Sequence, residues 1–173
     1  MATATAENTS LIANQDLFKA ICSGVESCFM MCDSSVKCVA MSTIPTRDAG
    51  IVTGMIGVHG QVSGFITVNM AEHVARKAIG GLLQDEFEKL TPQVIDGVGE
   101  MTNIISGGVK SLLSNTPWAF SHVTVPSVII GQNYQIAYAK GLEYLSVTFE
   151  QENEETLLLD DRLLKVAISL IRL

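Results

Sequence analysis

From residue 123 onward the chain repeatedly alternates apolar with polar residues, and this period of two is the pattern of strands that bury one face. Four runs show the alternation, with short breaks between them. Because strands joined by short connections pair as hairpins, the runs predict a largely antiparallel sheet. The alternating positions are Val123, Val125, Ser127 and Ile129; Tyr134, Ile136 and Tyr138; Leu145, Val147 and Phe149; and Leu164, Val166, Ile168 and Leu170.

Three more strands are predicted in the first half of the chain. Residues 51–58 and 65–70 flank a polar stretch that contains two glycines, which predicts a hairpin. Residues 36–41 predict a short strand before it. Near the end, residues 163–173 contain helix-favouring residues, but their alternation and β-branched content favour a strand.

Three segments instead carry the apolar spacing of amphipathic helices, at residues 11–32, 71–83 and 91–114. The third has clear end signals. Thr91 followed by Pro92 predicts an N-cap with proline at the first helical position, and the Asn-Thr-Pro sequence after Ser114 ends the helix.

The order of these elements predicts an α+β fold in which a largely antiparallel sheet carries the two long helices on one face. Because a helix followed by strands occurs twice, the order also suggests an internal duplication. The length of 173 residues, 47% of them hydrophobic, predicts one domain over the whole chain. We expect residues 1–10, which are mostly small and polar, to be flexible.

Charge and hydropathy exclude several classes of function. Eleven basic and 18 acidic residues give a net charge of −7, which opposes binding to nucleic acid or to anionic lipid. No apolar run approaches the roughly 18 residues that span a bilayer, so we expect no membrane insertion and a cytoplasmic location.

The spacing of cysteine and histidine does not predict a metal site. The four cysteines lie within the first 38 residues without a C-x2-C pair, and the three histidines are scattered. We expect reduced thiols that pack as small hydrophobic groups rather than disulfides or metal ligands.

The helix at 91–114 has two distinct faces. Its apolar stripe is predicted to pack on the sheet and consists of Val94, Val98, Met101, Ile105 and Leu112. The opposite face carries a row of polar and small residues at spacings of four, three and four, namely Asp96, Glu100, Asn103 and Gly107. A row of this kind is most often only a solvated surface.

Glycines make that face less ordinary. Gly97, Gly99, Gly107 and Gly108 each cost the helix about 1 kcal/mol relative to alanine. Close helix packing explains Gly97 and Gly108, which lie near the apolar stripe. Gly107 continues the polar row and leaves bare backbone beside Asn103, where a partner could approach closely.

The spacing Asp96-x3-Glu100-x2-Asn103-x22-Pro126 resembles the signature of the CheC, CheX and FliY phosphatase family. The first helix has Glu26 followed three residues later by Phe29, so a second Glu-x2-Asn pair is missing there. A single motif in a chain of this length is most similar to CheX. The resemblance implies a CheC-like fold and a homodimer with exchanged strands.

The resemblance further implies an aspartyl-phosphate phosphatase, a hydrolase that acts on a CheY-like receiver domain in chemotaxis or another two-component pathway. Asn103 would orient the attacking water, as a glutamine does in small GTPases. Glu100 would pair with the lysine of the receiver's active site, and Pro126 would be a structural member of the motif. Asp96 would either add a peripheral contact to the receiver or only solvate the helix. The bare backbone at Gly107 would let the receiver approach closely. No cofactor is expected on this chain, whereas Mg²⁺ is expected on the receiver.

Two other functions remain open from the residues. The chain could be a binding module of the flagellar-switch or adaptor type that docks a receiver without hydrolysing its phosphate. It could also be a structural dimer in which the exposed motif is incidental. A P-loop is excluded in the segment from Gly107 to Ser111, because its glycines and lysine are not adjacent and it lies inside a helix.

Overall fold

The computed structural model describes residues 3–132, 134, 136–138, 140–152 and 156–172, with side chains described from residue 15 onward. The described residues form three α-helices and seven strands. In chain order the elements are α1 (Thr3–Met31), β1 (Val36–Ser42), β2 (Val52–Gly60), β3 (Val62–Met70), α2 (Glu72–Leu83), α3 (Pro92–Leu113), β4 (Phe120–Val123), β5 (Ser127–Ile130), β6 (Glu143–Gln151), a 3-10 turn (Leu159–Arg162) and β7 (Leu163–Arg172).

All seven strands belong to one antiparallel sheet in the order β1-β6-β7-β3-β2-β4, with β5 also paired to β2. The order is symmetric about the β7–β3 pair. The half that follows α1 sends its first strand, β1, across to pair with β6. The half that contains α3 sends β4 and β5 across to pair with β2. This reciprocal arrangement is the topology that an internal duplication would produce.

Helices α1 and α3 lie side by side on one face of the sheet, as predicted, and bury its apolar residues. Small residues let the two helices approach closely. A Cβ atom on Gly108 of α3 would lie 3.1 Å from the Cα of Gly24 in α1. This contact explains Gly108, which the sequence interpretation had assigned to close packing.

The other face of the sheet is covered by loop segments rather than helices. Lys165 of β7 is buried there, and its Nζ donates to Asp48 Oδ1 at 2.6 Å and to the carbonyl oxygens of Thr46 and Arg47 at 3.0 Å each. The 43–50 connection is therefore tied to the middle of the sheet.

The predicted strand through Tyr134, Ile136 and Tyr138 is wrong, because the described residues there form no strand. They lie across the back of the sheet. Tyr134 shares a hydrogen bond between its hydroxyl and that of Thr53, and the ring of Tyr138 stacks on that of Phe65. An extended loop that packs on a sheet produces the same alternation as a strand, which explains the error.

The predicted strand through residues 123–129 is present but broken. Strand β4 ends at Val123 and β5 begins at Ser127, so both pair with β2 end to end along one edge. Strand β6 ends at Gln151, and residues 153–155 lie outside the described part of the chain.

The remaining elements agree with prediction to within a few residues, except that α1 begins at Thr3 and the β2–β3 hairpin extends into its turn. Residues 156–158 are irregular and lead into the 3-10 turn. In the described part of the chain, no helix has the length and hydrophobicity needed to cross a membrane.

Candidate functional site

Helix α3 has well-defined ends. The Oγ1 of Thr91 accepts a hydrogen bond from the backbone N–H of Val94 at 3.3 Å, and Pro92 occupies the first helical position. At the other end the N–H of Ser114 donates to the carbonyl of Ser111 at 3.5 Å. These caps satisfy backbone groups that a helix would otherwise leave unpaired. They stabilise both ends of α3 and so hold its side chains in fixed positions.

Two close contacts fix the rotation of α3 about its axis. The Thr102 side chain lies over Gly54 of β2, in the space that a side chain at residue 54 would fill. Its hydroxyl donates to the carbonyl of Val98 at 2.8 Å, so the buried oxygen is satisfied. A Cβ atom on Gly97 would lie 2.7 Å from atoms of Ile79 in α2. Both contacts turn the opposite side of α3 to solvent.

The exposed side of α3 carries the predicted row. Asp96, Glu100, Asn103 and Gly107 are all exposed, and a Cβ atom on Gly107 would meet nothing within 4 Å. At a rise of about 1.5 Å per residue, Glu100 and Asn103 are separated by about 4.5 Å along the axis. The structure therefore brings these four residues together as predicted.

No side chain in the described part of the chain forms a hydrogen bond or ion pair with Glu100 or Asn103. A carboxylate can pair with a cation, and an amide can hold a water through its donor and its acceptor. Both groups thus point into solvent with their hydrogen-bonding capacity unused. The row itself contains no serine or cysteine that could act as a nucleophile.

Pro126 lies at the break between β4 and β5, where three residues (124–126) face two of β2 (56–57). Thr124 holds the break together, because its N–H donates to the carbonyl of Gly57 and its Oγ1 accepts from the N–H of Gly57, both at 2.9 Å. Proline suits this position because it has no N–H to leave unpaired. A Cβ atom on Gly99 would lie 3.9 Å from Pro126 Cγ. The proline is therefore next to the turn of α3 that carries Glu100.

The apolar face of α3 differs from prediction at one position. Val94, Val98, Met101 and Ile105 are fully buried as predicted, but Leu112 is 51% exposed. In the last turn burial passes to Val109 and Leu113. Helix α3 contacts both α1 and the sheet, so its buried face is broader than a single stripe. In its last turn the neighbouring elements therefore cover Val109 and Leu113 and leave Leu112 exposed.

A groove of about 970 Å³ continues the row beyond Gly107, between the end of α3, the β2–β3 turn and β4. The groove was not predicted from the sequence, because three distant segments of the chain form it. One signal was available: Lys110 lies seven residues after Asn103 and so on the same side of the helix. The polar side chains that line the groove are Gln61, Lys110, Ser111, Ser114 and Ser121.

Two smaller cavities, of about 420 and 350 Å³, lie on the opposite face of the sheet. Both are bordered by Arg47, Asp48 and Tyr134. The sheet separates them from the α3 row, so they do not belong to the same site.

Among the described residues, no group of three or more His, Cys, Asp and Glu side chains could hold a metal ion. The histidines are less scattered than the sequence indicated, since His59 of β2 lies directly opposite His122 of β4. Their Nδ1 atoms contact the hydroxyls of Ser63 and Ser121.

The four cysteines are free thiols, as predicted. Burial, together with the neighbouring Cys38 thiol and Glu26 carboxylate, raises the pKa of Cys22 from 9.0 to about 12. A protonated thiol is a poor nucleophile. Cys28 and Cys32 are buried in the core, where they pack as small hydrophobic groups as predicted.

In sequence, residues 52–150 match the family described as chemotaxis phosphatase CheX, which is more than half of the chain and includes all of α3. A comparison with curated proteins gives no significant match.

Solved structures give the same fold at low sequence identity. The chemotaxis protein CheX of Vibrio vulnificus is 21% identical, with 90% of this chain and 99% of that chain covered and a TM-score of 0.75. A CheC-like superfamily protein from Shewanella sp. PV-4 is 22% identical over 90% and 97% of the two chains, with a TM-score of 0.74. A chain of the CheX–CheY–BeF3–Mg²⁺ complex of Borrelia burgdorferi is 23% identical over 90% and 96%, with a TM-score of 0.69.

Proposed function

This chain belongs to the CheX family of chemotaxis phosphatases, and from that premise we propose that it hydrolyses the aspartyl phosphate of a CheY-like response regulator. One observation carries the proposal. Glu100 and Asn103 lie one turn apart on the exposed face of a capped helix, and no described side chain of this chain engages either of them. Side chains held in this way are available to a partner.

A structural neighbour supports the choice of partner. The Borrelia burgdorferi CheX, which has the same fold, forms a complex with CheY, BeF3 and Mg²⁺. For the present chain, a receiver of the same type would supply the phosphoryl group and the metal. The chain itself would need no cofactor, because its part is to position groups.

Asn103 is the proposed catalytic residue. Its amide would hold a water in line with the phosphorus and the bond to the aspartyl oxygen. Attack by the water oxygen on phosphorus breaks that bond, releases inorganic phosphate and leaves the receiver's aspartate as a carboxylate. An acyl phosphate is already activated, so placing the water is the main task left for this chain.

Glu100 is the proposed docking residue. Its carboxylate, one turn before Asn103, would pair with the lysine of the receiver's active site and fix the position in which the amide enters. Asp96 would contact the edge of the receiver, and Gly107 would let the receiver's backbone approach α3. Pro126, packed beside Gly99, would hold the turn that carries Glu100.

The test is the decay rate of a phosphorylated cognate receiver with and without the purified protein. We expect the wild type to speed decay and Asn103→Ala to abolish the acceleration with the fold unchanged. Asn115→Ala removes another exposed asparagine just beyond α3 and is the matched control. Glu100→Ala should raise the receiver concentration needed for half-maximal rate, whereas Glu88→Ala, in the connection before α3, should not.

Two outcomes would contradict the proposal. If the wild type binds the phosphorylated receiver but leaves its decay unchanged, the chain is an adaptor rather than a phosphatase. If Asn103→Ala is as active as Asn115→Ala, the amide does not position the water and the site lies elsewhere.

The same family membership leads us to propose a homodimer. Strand β1 supports this, because it is an edge strand with exposed Val39 and Met41, and Met30 and Ile44 are exposed nearby in the chain. Exposed apolar residues on an unpaired edge are typical of an interface. Light scattering should give twice the mass of one chain, and Met41→Glu should reduce it to that of a monomer. A monomeric wild type would contradict the dimer.

A further inference from the structure

We propose that the groove beyond Gly107, with Lys110 as its cation, is a second docking site that binds an acidic segment of the receiver. This inference rests on the proposed function. It adds that the receiver must carry an acidic segment opposite Lys110 as well as a cation opposite Glu100.

Lys110 belongs to the same row as the motif residues. It follows Asn103 by seven residues and Asp96 by fourteen. Seven residues turn a helix through about 700°, which is within about 20° of two full turns, and advance it by about 10.5 Å. A partner that meets Asn103 therefore also faces Lys110 two turns farther along α3.

The row is electrically polarised. Asp96 and Glu100 put negative charge near one end, and Lys110 puts positive charge at the other, with the Asn103 amide between them. A receiver that brings a cation to Glu100 must bring an anion to Lys110 if it is to match the whole row. Opposite charges at the two ends would therefore fix the direction in which the receiver docks, which a single ion pair cannot do.

Lys110 is partly buried in the groove, and in the described part of the chain no carboxylate pairs with it. A cation near the end of a helix also interacts favourably with the helix dipole, and that role predicts a change in stability rather than in binding.

The groove itself is suited to a polar loop. Its volume of about 970 Å³ is more than twice that of either cavity on the back of the sheet. Gly107 forms one wall without a side chain, the hydroxyls of Ser111 and Ser121 and the amide of Gln61 supply polar groups, and Ala119 and Phe120 add apolar surface. These groups can donate hydrogen bonds to carboxylates and to backbone carbonyls, so the occupant that fits best is an acidic loop near the receiver's phosphorylation site.

The test measures receiver decay as a function of receiver concentration for Lys110→Glu and for Lys89→Glu. Both substitutions change the net charge equally, but Lys89 is exposed in the connection before α3, at the other end of the helix. We expect Lys110→Glu to raise the half-saturating receiver concentration by about tenfold or more, with the maximal rate within about twofold of wild type. Lys89→Glu should leave both values near those of the wild type.

Equal half-saturating concentrations for the two variants would overturn the groove proposal while leaving the phosphatase intact. If the wild type shows no phosphatase activity, the proposed function fails, and the groove is then tested by calorimetry with the receiver carrying beryllium fluoride. Weaker binding of Lys110→Glu than of Lys89→Glu would support the groove in that case, and equal binding would overturn it. Urea unfolding of Lys110→Ala measures how much Lys110 stabilises α3 through the helix dipole. If this variant loses stability but keeps its affinity for the receiver, the docking role of Lys110 is overturned.

Discussion

Thr102 of α3 occupies the space that a side chain at Gly54 of β2 would need. A Cβ atom on Gly54 would lie 2.9 Å from the Cβ and 3.2 Å from the Cγ2 of Thr102. Atoms at such distances overlap, so the helix can lie this close to the strand only because residue 54 is glycine. The contact sets both the height and the rotation of α3, and these place Glu100 and Asn103 on the outer side.

The first prediction concerns this contact. Gly54→Ala should lower the free energy of unfolding by about 1–3 kcal/mol, because the added methyl group overpacks the interface between helix and sheet. It should also slow receiver dephosphorylation, since α3 must shift or turn to make room. Urea unfolding and the decay assay measure the two effects.

Thr102→Ala in the same chain removes the Oγ1 and Cγ2 atoms, which would both clash with a Cβ atom on residue 54, and should restore part of both losses. A double variant no better than Gly54→Ala would show that the clash is not the cause.

The second prediction uses two adjacent glycines with opposite surroundings. Gly107→Ala should stabilise the protein by about 0.5–1 kcal/mol, because alanine favours the helix and nothing lies within 4 Å of the new methyl group. It should also raise the receiver concentration needed for half-maximal rate, because the methyl group projects toward the docked partner.

Gly108→Ala provides the comparison, because its methyl group would lie 3.1 Å from the Cα of Gly24 and should destabilise the protein. If Gly107→Ala bound and dephosphorylated the receiver like the wild type, a close approach of the receiver at residue 107 would be ruled out.

The third prediction concerns the back of the sheet. Lys165→Met should cost about 3 kcal/mol of stability, because it leaves the poorly accessible Asp48 carboxylate without its cation. The activity of the folded fraction should not change, since the sheet separates this cluster from α3. Chemical unfolding and the decay assay at low temperature test both parts. A variant of wild-type stability would mean that Lys165 does not hold the 43–50 connection.

The fourth prediction is a loss of stability at alkaline pH. The pKa of Cys22 is raised to about 12 by burial, so between pH 9 and 12 the unfolded chain releases this proton while the folded chain keeps it. Its contribution is complete below pH 9 and is lost as the pH rises toward 12. Burial raises the pKa of Tyr138 as well, which acts in the same direction above pH 10.

Urea midpoints measured at about pH 8 and about pH 10.5 should therefore fall less in Cys22→Ala than in the wild type. Identical falls would show that the Cys22 thiol does not contribute. Cys38→Ala is the control for removing an exposed thiol from the same pair.

Much of the fold and of the site was predictable because local rules decide it. The cap at Thr91, the proline after it and the apolar spacing define α3 with little help from the rest of the chain. The exposed row follows from the same periodicity. Helix positions three and four apart share a face wherever the helix lies, so the candidate site depends on one element.

Features that depend on several elements were missed. The alternation at Tyr134 and Tyr138 matches that of a strand, yet it arises from packing across the sheet. The groove beside Lys110 is formed where the β2–β3 turn and β4 contact the end of α3. Residue periodicity within a single segment does not predict such contacts between distant segments. Leu112 was predicted to lie in the core because it continues the apolar stripe. Which side of the last turn is buried depends on the elements that pack against it, and the periodicity of α3 does not specify them.

The strand order has a consequence for how the protein is made on the ribosome. Strand β7 pairs with both β3 and β6 at the centre of the sheet, yet it follows every other strand in the sequence. Until residues 163–172 have emerged from the ribosome, no strand joins the β2–β3 hairpin to β6. Strand β1 pairs with β6, which is synthesised more than a hundred residues later. We therefore expect nascent chains that end before β7 to expose apolar strands and to depend on chaperones, and the sheet to assemble only after translation has passed this strand.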